Sequence, residues 1–227
     1  MEPGLQPGVG GSEDACVPPG LGWGWACRPP GAEAPGYMPA PLRGIQCRGD
    51  LLNFGAVLGV VSGFLEERGC RYAVIGGVAL ATYGLARTTQ DLDLIVDLAG
   101  QDDLIAFLES IGYRTLHRSR GYSTHLHPDP DRGRLDFVYA APETGDKLFA
   151  GCHPRQGPAG LQVPVPRPEH LAALKVLAMK NDPERTFQDL ADIRALLILP
   201  GVDRAEVRDY FERHGLKDRY DELERTL

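Results

Sequence analysis

The chain has 227 residues, enough for one domain or one domain with appendages. A formal net charge of −7 argues against a protein that coats nucleic acid nonspecifically, while leaving room for a local basic groove. Five cysteines without CxxC or metal-ligand spacing, no apolar run near the ~20 residues of a membrane span, and no basic-then-apolar leader indicate a cytoplasmic protein with reduced thiols and no membrane association.

Residues 1–45 stand apart. Nineteen of these 45 positions are Gly or Pro, both tryptophans (Trp23, Trp25) fall here, and no periodicity is visible. Such a segment buries too little apolar surface to offset its ordering entropy, so it reads as disordered. A partner-binding tail is a second reading, and a natural start at Met38 is a third.

From about Asp50 the pattern changes. Leu51, Phe54, Leu58, Val61 and Leu65 follow helical spacing, and Gly69 is a stop. Tyr72–Ile75 reads as a short buried strand, after which Gly76-Gly77 turns the chain into a two-turn helix ending near Gly84. Asp91–Asp97 is a strand, Asp102–Ile111 an amphipathic helix, and Tyr113–His117 and Tyr122–His127 are candidate strands. A Pro/Asp/Gly turn at 128–133 leads to a returning strand, Arg134–Tyr139. Beyond a loop rich in Gly and Pro come a short strand, Leu161–Val165, and a helix opened by Pro168 and running to about Lys180. A helix over roughly Glu184–Leu199 and two short helical pieces close the chain.

Within this frame, Gly76 and Gly77 let the backbone approach a ligand, and the helix that follows offers free N–H groups to phosphate; a plain tight turn is the alternative. Asp91 and Asp93 project from the same side of one strand and could hold a divalent cation. A solvated acidic edge would also carry such a pair, but Leu92, Leu94 and Ile95 make this strand largely buried. Asp136, between Leu135 and Phe137, is the natural third carboxylate, unless it is merely an outward hairpin position. Arg87, Thr88 and Thr89 could contact a triphosphate or order the loop, and Arg87 could equally form a surface ion pair with a nearby acid. Lys175, among Leu171, Leu174 and Ala178, could neutralise triphosphate charge or bridge to Asp189 or Asp192 on the next helix. Arg114, His117, Arg118, Arg120, His125, His127, Arg132 and Arg134 lie within 21 residues, the one basic region and a candidate RNA or protein acceptor surface, with a merely solvated hairpin as the alternative.

The pattern G-G-x-A-x-x-x-x-G-x-x-R-x-T-x-D-x-D, from Gly76 to Asp93, resembles the nucleotidyltransferase superfamily whose core is like that of DNA polymerase β. The run Lys175…Arg185…Asp189…Asp192 is similar to the C-terminal motifs of the AbiEii/AbiGii branch, which contains toxins of toxin–antitoxin pairs. The resemblance covers roughly residues 50–200. It implies an α+β fold, a small mixed sheet flanked by helices and followed by a helical region. The expected division is 1–45 disordered, 46–166 nucleotidyltransferase core and 167–227 C-terminal helices.

It also implies transfer of a nucleotide from NTP with Mg²⁺ or Mn²⁺. Asp91, Asp93 and Asp136 would be the catalytic and metal-binding acids, with Gly76, Gly77, Arg87, Thr89 and Lys175 on the nucleotide. Some members of the branch modify the 3′ end of tRNA, which makes tRNA or a protein the implied acceptor and an antitoxin the implied partner. The opening is G-G rather than the G-S of many superfamily members, so a hydroxyl on the phosphate is lost. Two alternatives stay open: a non-catalytic nucleotide- or partner-binding protein of the same fold, and nucleotidylation of a small cationic acceptor, for which no acidic acceptor pocket is identifiable.

Overall fold

The computed structural model describes residues 53–85 and 88–227. The segment 1–45, the Met38 start and Arg87 therefore lie outside the described residues. The first helix, α1 (Phe54–Glu67), buries Val57, Leu58, Val61 and Leu65 on one face. Asn53 caps its N-terminus through Oδ1, which accepts from the Ala56 N–H at 3.1 Å. Gly69, at φ +63°, ends it.

The strands β1 (Tyr72–Val74), β2 (Asp91–Asp97), β3 (Arg114–Arg118), β4 (Tyr122–Leu126) and β5 (Arg134–Ala140) form one mixed sheet in the order β1-β2-β5-β4-β3. Only β2 and β5 run parallel, pairing in register from Asp91 with Arg134 to Asp97 with Ala140. Both are interior strands, so the acid pair of β2 does not lie on a sheet edge. Their leucines and Phe137 are fully buried. At about 25 cal/mol per Å², burial of such side chains supplies most of the sheet's stability.

Helix α2 (Gly76–Thr82) connects β1 to β2, and α3 (Gln101–Ser110) connects β2 to β3. Phe64 of α1 stacks on Phe107 of α3 with ring centroids 4.1 Å apart. Glu109 of α3 accepts from Thr115 at 2.7 Å. Thr115 pairs with His125 and His125 with Leu135, so α3 covers the face of the sheet opposite Asp136.

After β5 come α4 (Pro142–Ala150) and a two-stranded antiparallel ribbon, β6 (Cys152–Gln156) with β7 (Gln162–Pro166). The sequence pattern predicts a loop where α4 and β6 lie. In α4 only Thr144, Gly145 and Leu148 are buried, too few for a visible stripe. Strand β6 carries Pro154 opposite Pro164 in a ribbon, which tolerates proline because each strand has an unpaired edge. Helices α5 (Pro168–Asn181), α6 (Thr186–Leu197), α7 (Arg204–Arg213) and α8 (Lys217–Glu224) complete the chain. Nine residues of α5 are buried, hence its weak amphipathic pattern: it is wrapped on several sides.

Candidate active site

The parallel pairing of β2 and β5 sets Asp93 directly beside Asp136, and alternation along β2 puts Asp91 on the same side. Ligand oxygens of Asp91, Asp93 and Asp136 all lie within 4.8 Å of one another. Three carboxylates this close repel unless a cation joins them. The strain shows at Asp93. Burial, then the charges of Asp91 and Asp136, push its carboxyl up to about 7, and the positive charges of Arg185 and Lys175 oppose them. Hard oxygen ligands converging from two rigid strands fit Mg²⁺ or Mn²⁺.

The glycines are tied to these acids sterically. A Cβ on Gly76 would fall 1.9 Å from Asp93 Oδ2, and the residue has φ +64°. A Cβ on Gly77 would fall 2.7 Å from that of Thr89. The Ile75 N–H donates to the Asp93 carbonyl at 3.0 Å, pinning the turn against β2. So the glycine pair is no generic turn: it permits the backbone to close over the second acid. Thr89 donates from Oγ1 to Asp91 Oδ1 at 2.7 Å, which makes it an orienting group for the first acid.

Asp136 has its own clamp. Arg134 Nε lies 3.2 Å from Oδ1 and its terminal nitrogen 3.0 Å from Oδ2. Beside them Thr124, opposite Asp136 on β4, donates to the Tyr122 hydroxyl at 2.9 Å. Burial and the neighbouring Asp136 charge hold that phenol up at about 12, so it stays neutral. Arg134 as the partner of Asp136, and Tyr122 and Thr124 as its neighbours, were not singled out from sequence. The R-x-D spacing of β5, echoing D-x-D in β2, was the available signal.

Lys175 is brought to the edge of this group but does not stand free. Its Nζ lies 3.0 Å from Asp189 Oδ1 and 2.5 Å from Asp192 Oδ2, the helix-to-helix bridge that was one of the two sequence readings. Arg185 Nε lies 3.8 Å from Asp189 Oδ2. A separate cleft of about 580 Å³ between α4, α5 and α7 lies elsewhere. Gly145 of α4 sits against Asp97 and Ala140, the last residues of β2 and β5, whereas the acids lie near the first. Within the cleft Arg167 pairs with Glu206 and Arg213 with Asp209.

The basic cluster divides between the two faces of the sheet. Arg118 pairs with Asp102. His125 is buried edge-on against Phe137, and His127 packs on Tyr113. Arg132 reaches the Ile111 carbonyl at 3.4 Å. His117 and Arg134 share the acid face.

A mixed five-stranded sheet flanked by helices is the architecture of nucleotidyltransferase-like folds. The family model described as "Nucleotidyl transferase AbiEii toxin, Type IV TA system" matches residues 64–227, and the chain belongs to that family. Among solved structures, the antibiotic-resistance factor ANT(2'')-Ia is similar at 18% identity and TM-score 0.54, over 75% of this chain and 95% of that one. The lincosamide antibiotic adenylyltransferase LnuA matches at 18% identity and TM-score 0.43, over 63% and 96%. A CCA-adding enzyme in complex with ATP matches at 14% and 0.39, over 74% and 47%. No curated protein matches the chain significantly. The chain is thus an enzyme of the nucleotidyltransferase class, and no helix among its described residues is long and apolar enough to cross a membrane.

Proposed function

We propose that the chain moves an NMP from a metal-bound NTP to an acceptor hydroxyl, as the toxin of a toxin–antitoxin pair acting in the cytoplasm. The observation that carries this reading is the convergence of Asp91, Asp93 and Asp136 within 4.8 Å on two buried strands. These three would hold a divalent cation, which when bound neutralises triphosphate charge and stabilises the charge that develops on transfer. Gly76 and Gly77 leave the backbone N–H groups of the turn open to phosphate oxygens, and Thr89, Lys175 and Arg185 supply hydrogen bonds and positive charge, a role proposed for Arg87 as well.

The acceptor oxygen attacks the α-phosphorus, the bond to the bridging oxygen breaks, and pyrophosphate leaves. Asp136 receives the proton of the hydroxyl, and Arg134 fixes the orientation of its carboxylate. A module that only binds a partner has no use for three mutually repelling acids in a core sheet. The acceptor is proposed to be RNA, such as tRNA, with a protein as the other class to be tested, and an antitoxin as the restraining partner. Incubation with each NTP labelled at the α-phosphate, with Mg²⁺ and with or without total tRNA, tests this. Label should move to tRNA with the wild type and not with Asp93→Ala. Absence of transfer and of pyrophosphate release with every NTP and acceptor overturns the reading.

A further inference from the structure

The sheet carries a second set of groups on the acid face, displaced sideways from the carboxylates. Asp93 pairs with Asp136, Asp136 with Thr124, and Thr124 with His117, so one straight row crosses β2, β5, β4 and β3. Strands lie about 4.8 Å apart, which puts the His117 backbone about 10 Å from that of Asp136. Tyr122, two residues before Thr124 on β4, shares this face. Its ring lies 5.9 Å from that of His117, centroid to centroid, tilted by 39°. Both rings are partly exposed, unlike Phe137 and His125, which are sealed on the opposite face.

His117 owes its place to an irregularity. The pairing of β3 with β4 shifts between Thr115 and His117, leaving Leu116 as the extra residue of a bulge. Thr115 points to α3, so regular alternation would put Leu116 on the acid face and turn His117 away. The bulge reverses this and re-aims the imidazole into the row. Arg114, opposite Leu126, projects on the same face at the outer edge of the sheet. It is exposed and, among the described residues, makes no ion pair.

We propose that His117 and Tyr122 form a stacking platform for an unpaired nucleotide of an RNA acceptor, delivering its terminal hydroxyl toward Asp136, with Arg114 on the sugar–phosphate backbone. This rests on the transfer reading and names where its acceptor docks. Two aromatic π-faces beside exposed cations suit a single strand, whose bases stack and whose phosphates are anionic. A small polycation would meet the positive charges of Arg114 and Arg134. A peptide would make no particular use of paired rings.

The test is fluorescence anisotropy with a labelled single-stranded RNA of about eight nucleotides bearing a free 3′ hydroxyl, added to the full chain with Mg²⁺ and a non-hydrolysable NTP. His117→Ala/Tyr122→Ala should weaken RNA binding by about tenfold or more, while His117→Phe and Tyr122→Phe stay within about threefold of wild type. Arg114→Glu, an exposed change that spares the packing, should weaken RNA binding and flatten its salt dependence. Affinity for a fluorescent NTP analogue should be unchanged in Arg114→Glu and His117→Phe.

Wild-type RNA affinity in the folded double alanine variant overturns the platform. If that variant does not fold, wild-type affinity in Arg114→Glu together with loss in the phenylalanine variants does so. Failure of the wild type to bind the oligonucleotide while it labels a protein also overturns it. Platform-dependent RNA binding without any nucleotide transfer leaves the platform standing and refutes the transfer reading instead.

Discussion

Replacing Gly76 by Ala separates the two demands made on that position. Its φ of +64° lies in the left-handed region, where a side chain costs about 1–2 kcal/mol. At ~2–4 °C per kcal/mol for a domain of this size, Tm should fall by about 2–8 °C. The steric demand is separate. The new Cβ would lie 1.9 Å from Asp93 Oδ2, and ordinary contact begins at 3.4 Å, so the oxygen must retreat by 3.4 − 1.9 = 1.5 Å. Rotating the carboxylate does not suffice, because Asp93 Cγ and Cβ would be 2.7 and 2.9 Å away. A reacting group misplaced by ~1 Å can lower the rate ~10²-fold. Gly69→Ala is the control: its φ is +63° with nothing within 4 Å of the added Cβ. In thermal unfolding Gly76→Ala should lose at least as much Tm as Gly69→Ala, and only Gly76→Ala should lose transfer of α-labelled NMP, by about 10²-fold. Gly76→Ala with activity equal to Gly69→Ala refutes the claim that the turn is shaped around Asp93.

Lys175→Met leaves Asp189, fully buried, and Asp192 facing each other without the lysine between them, and should destabilise by about 3–5 kcal/mol in urea unfolding; a loss under 1 kcal/mol contradicts the assigned pairing. Burial lowers the His125 pKa to about 4 from its ordinary 6.5. The unfolded chain therefore takes up a proton first as pH falls through that window, and the folded state loses stability between 6.5 and about 4. His125→Gln should remove this part, so that its Tm relative to wild type rises on acidification, and an unchanged difference counts against it. Asp136→Asn should keep the fold and lose about 10²–10⁴ of the transfer rate, read by pyrophosphate release.

Much of the site was legible because it is written in local grammar. Strand β2 begins and ends where alternation around Asp91 and Asp93 placed it, and the glycine turn announced a helix start. Asp136 stood out as a charge between core residues. What sequence does not carry is the partner of each strand. The parallel register that sets Asp93 beside Asp136 is long-range, as is the pairing that hands Lys175 to Asp189 and Asp192. The bulge at Leu116 is a local event, but its meaning depends on which face of β4 is already covered by α3. Eight basic residues within 21 positions therefore read as one surface, when pairing sends His125 inward and His117 toward the acids. Helix α4 and strand β6 were missed for a simpler reason, since each buries too little apolar surface to leave a periodic trace.

The central claim is that Asp91, Asp93 and Asp136 together bind the cation that brings the nucleotide. Titration of Mn²⁺ by electron paramagnetic resonance, with and without a non-hydrolysable NTP, measures this without needing the acceptor. The wild type should bind Mn²⁺ and NTP cooperatively, and Asp93→Asn and Asp136→Asn should each lose Mn²⁺ binding and most NTP affinity. Mn²⁺ and NTP binding of wild-type strength in both variants would contradict the account.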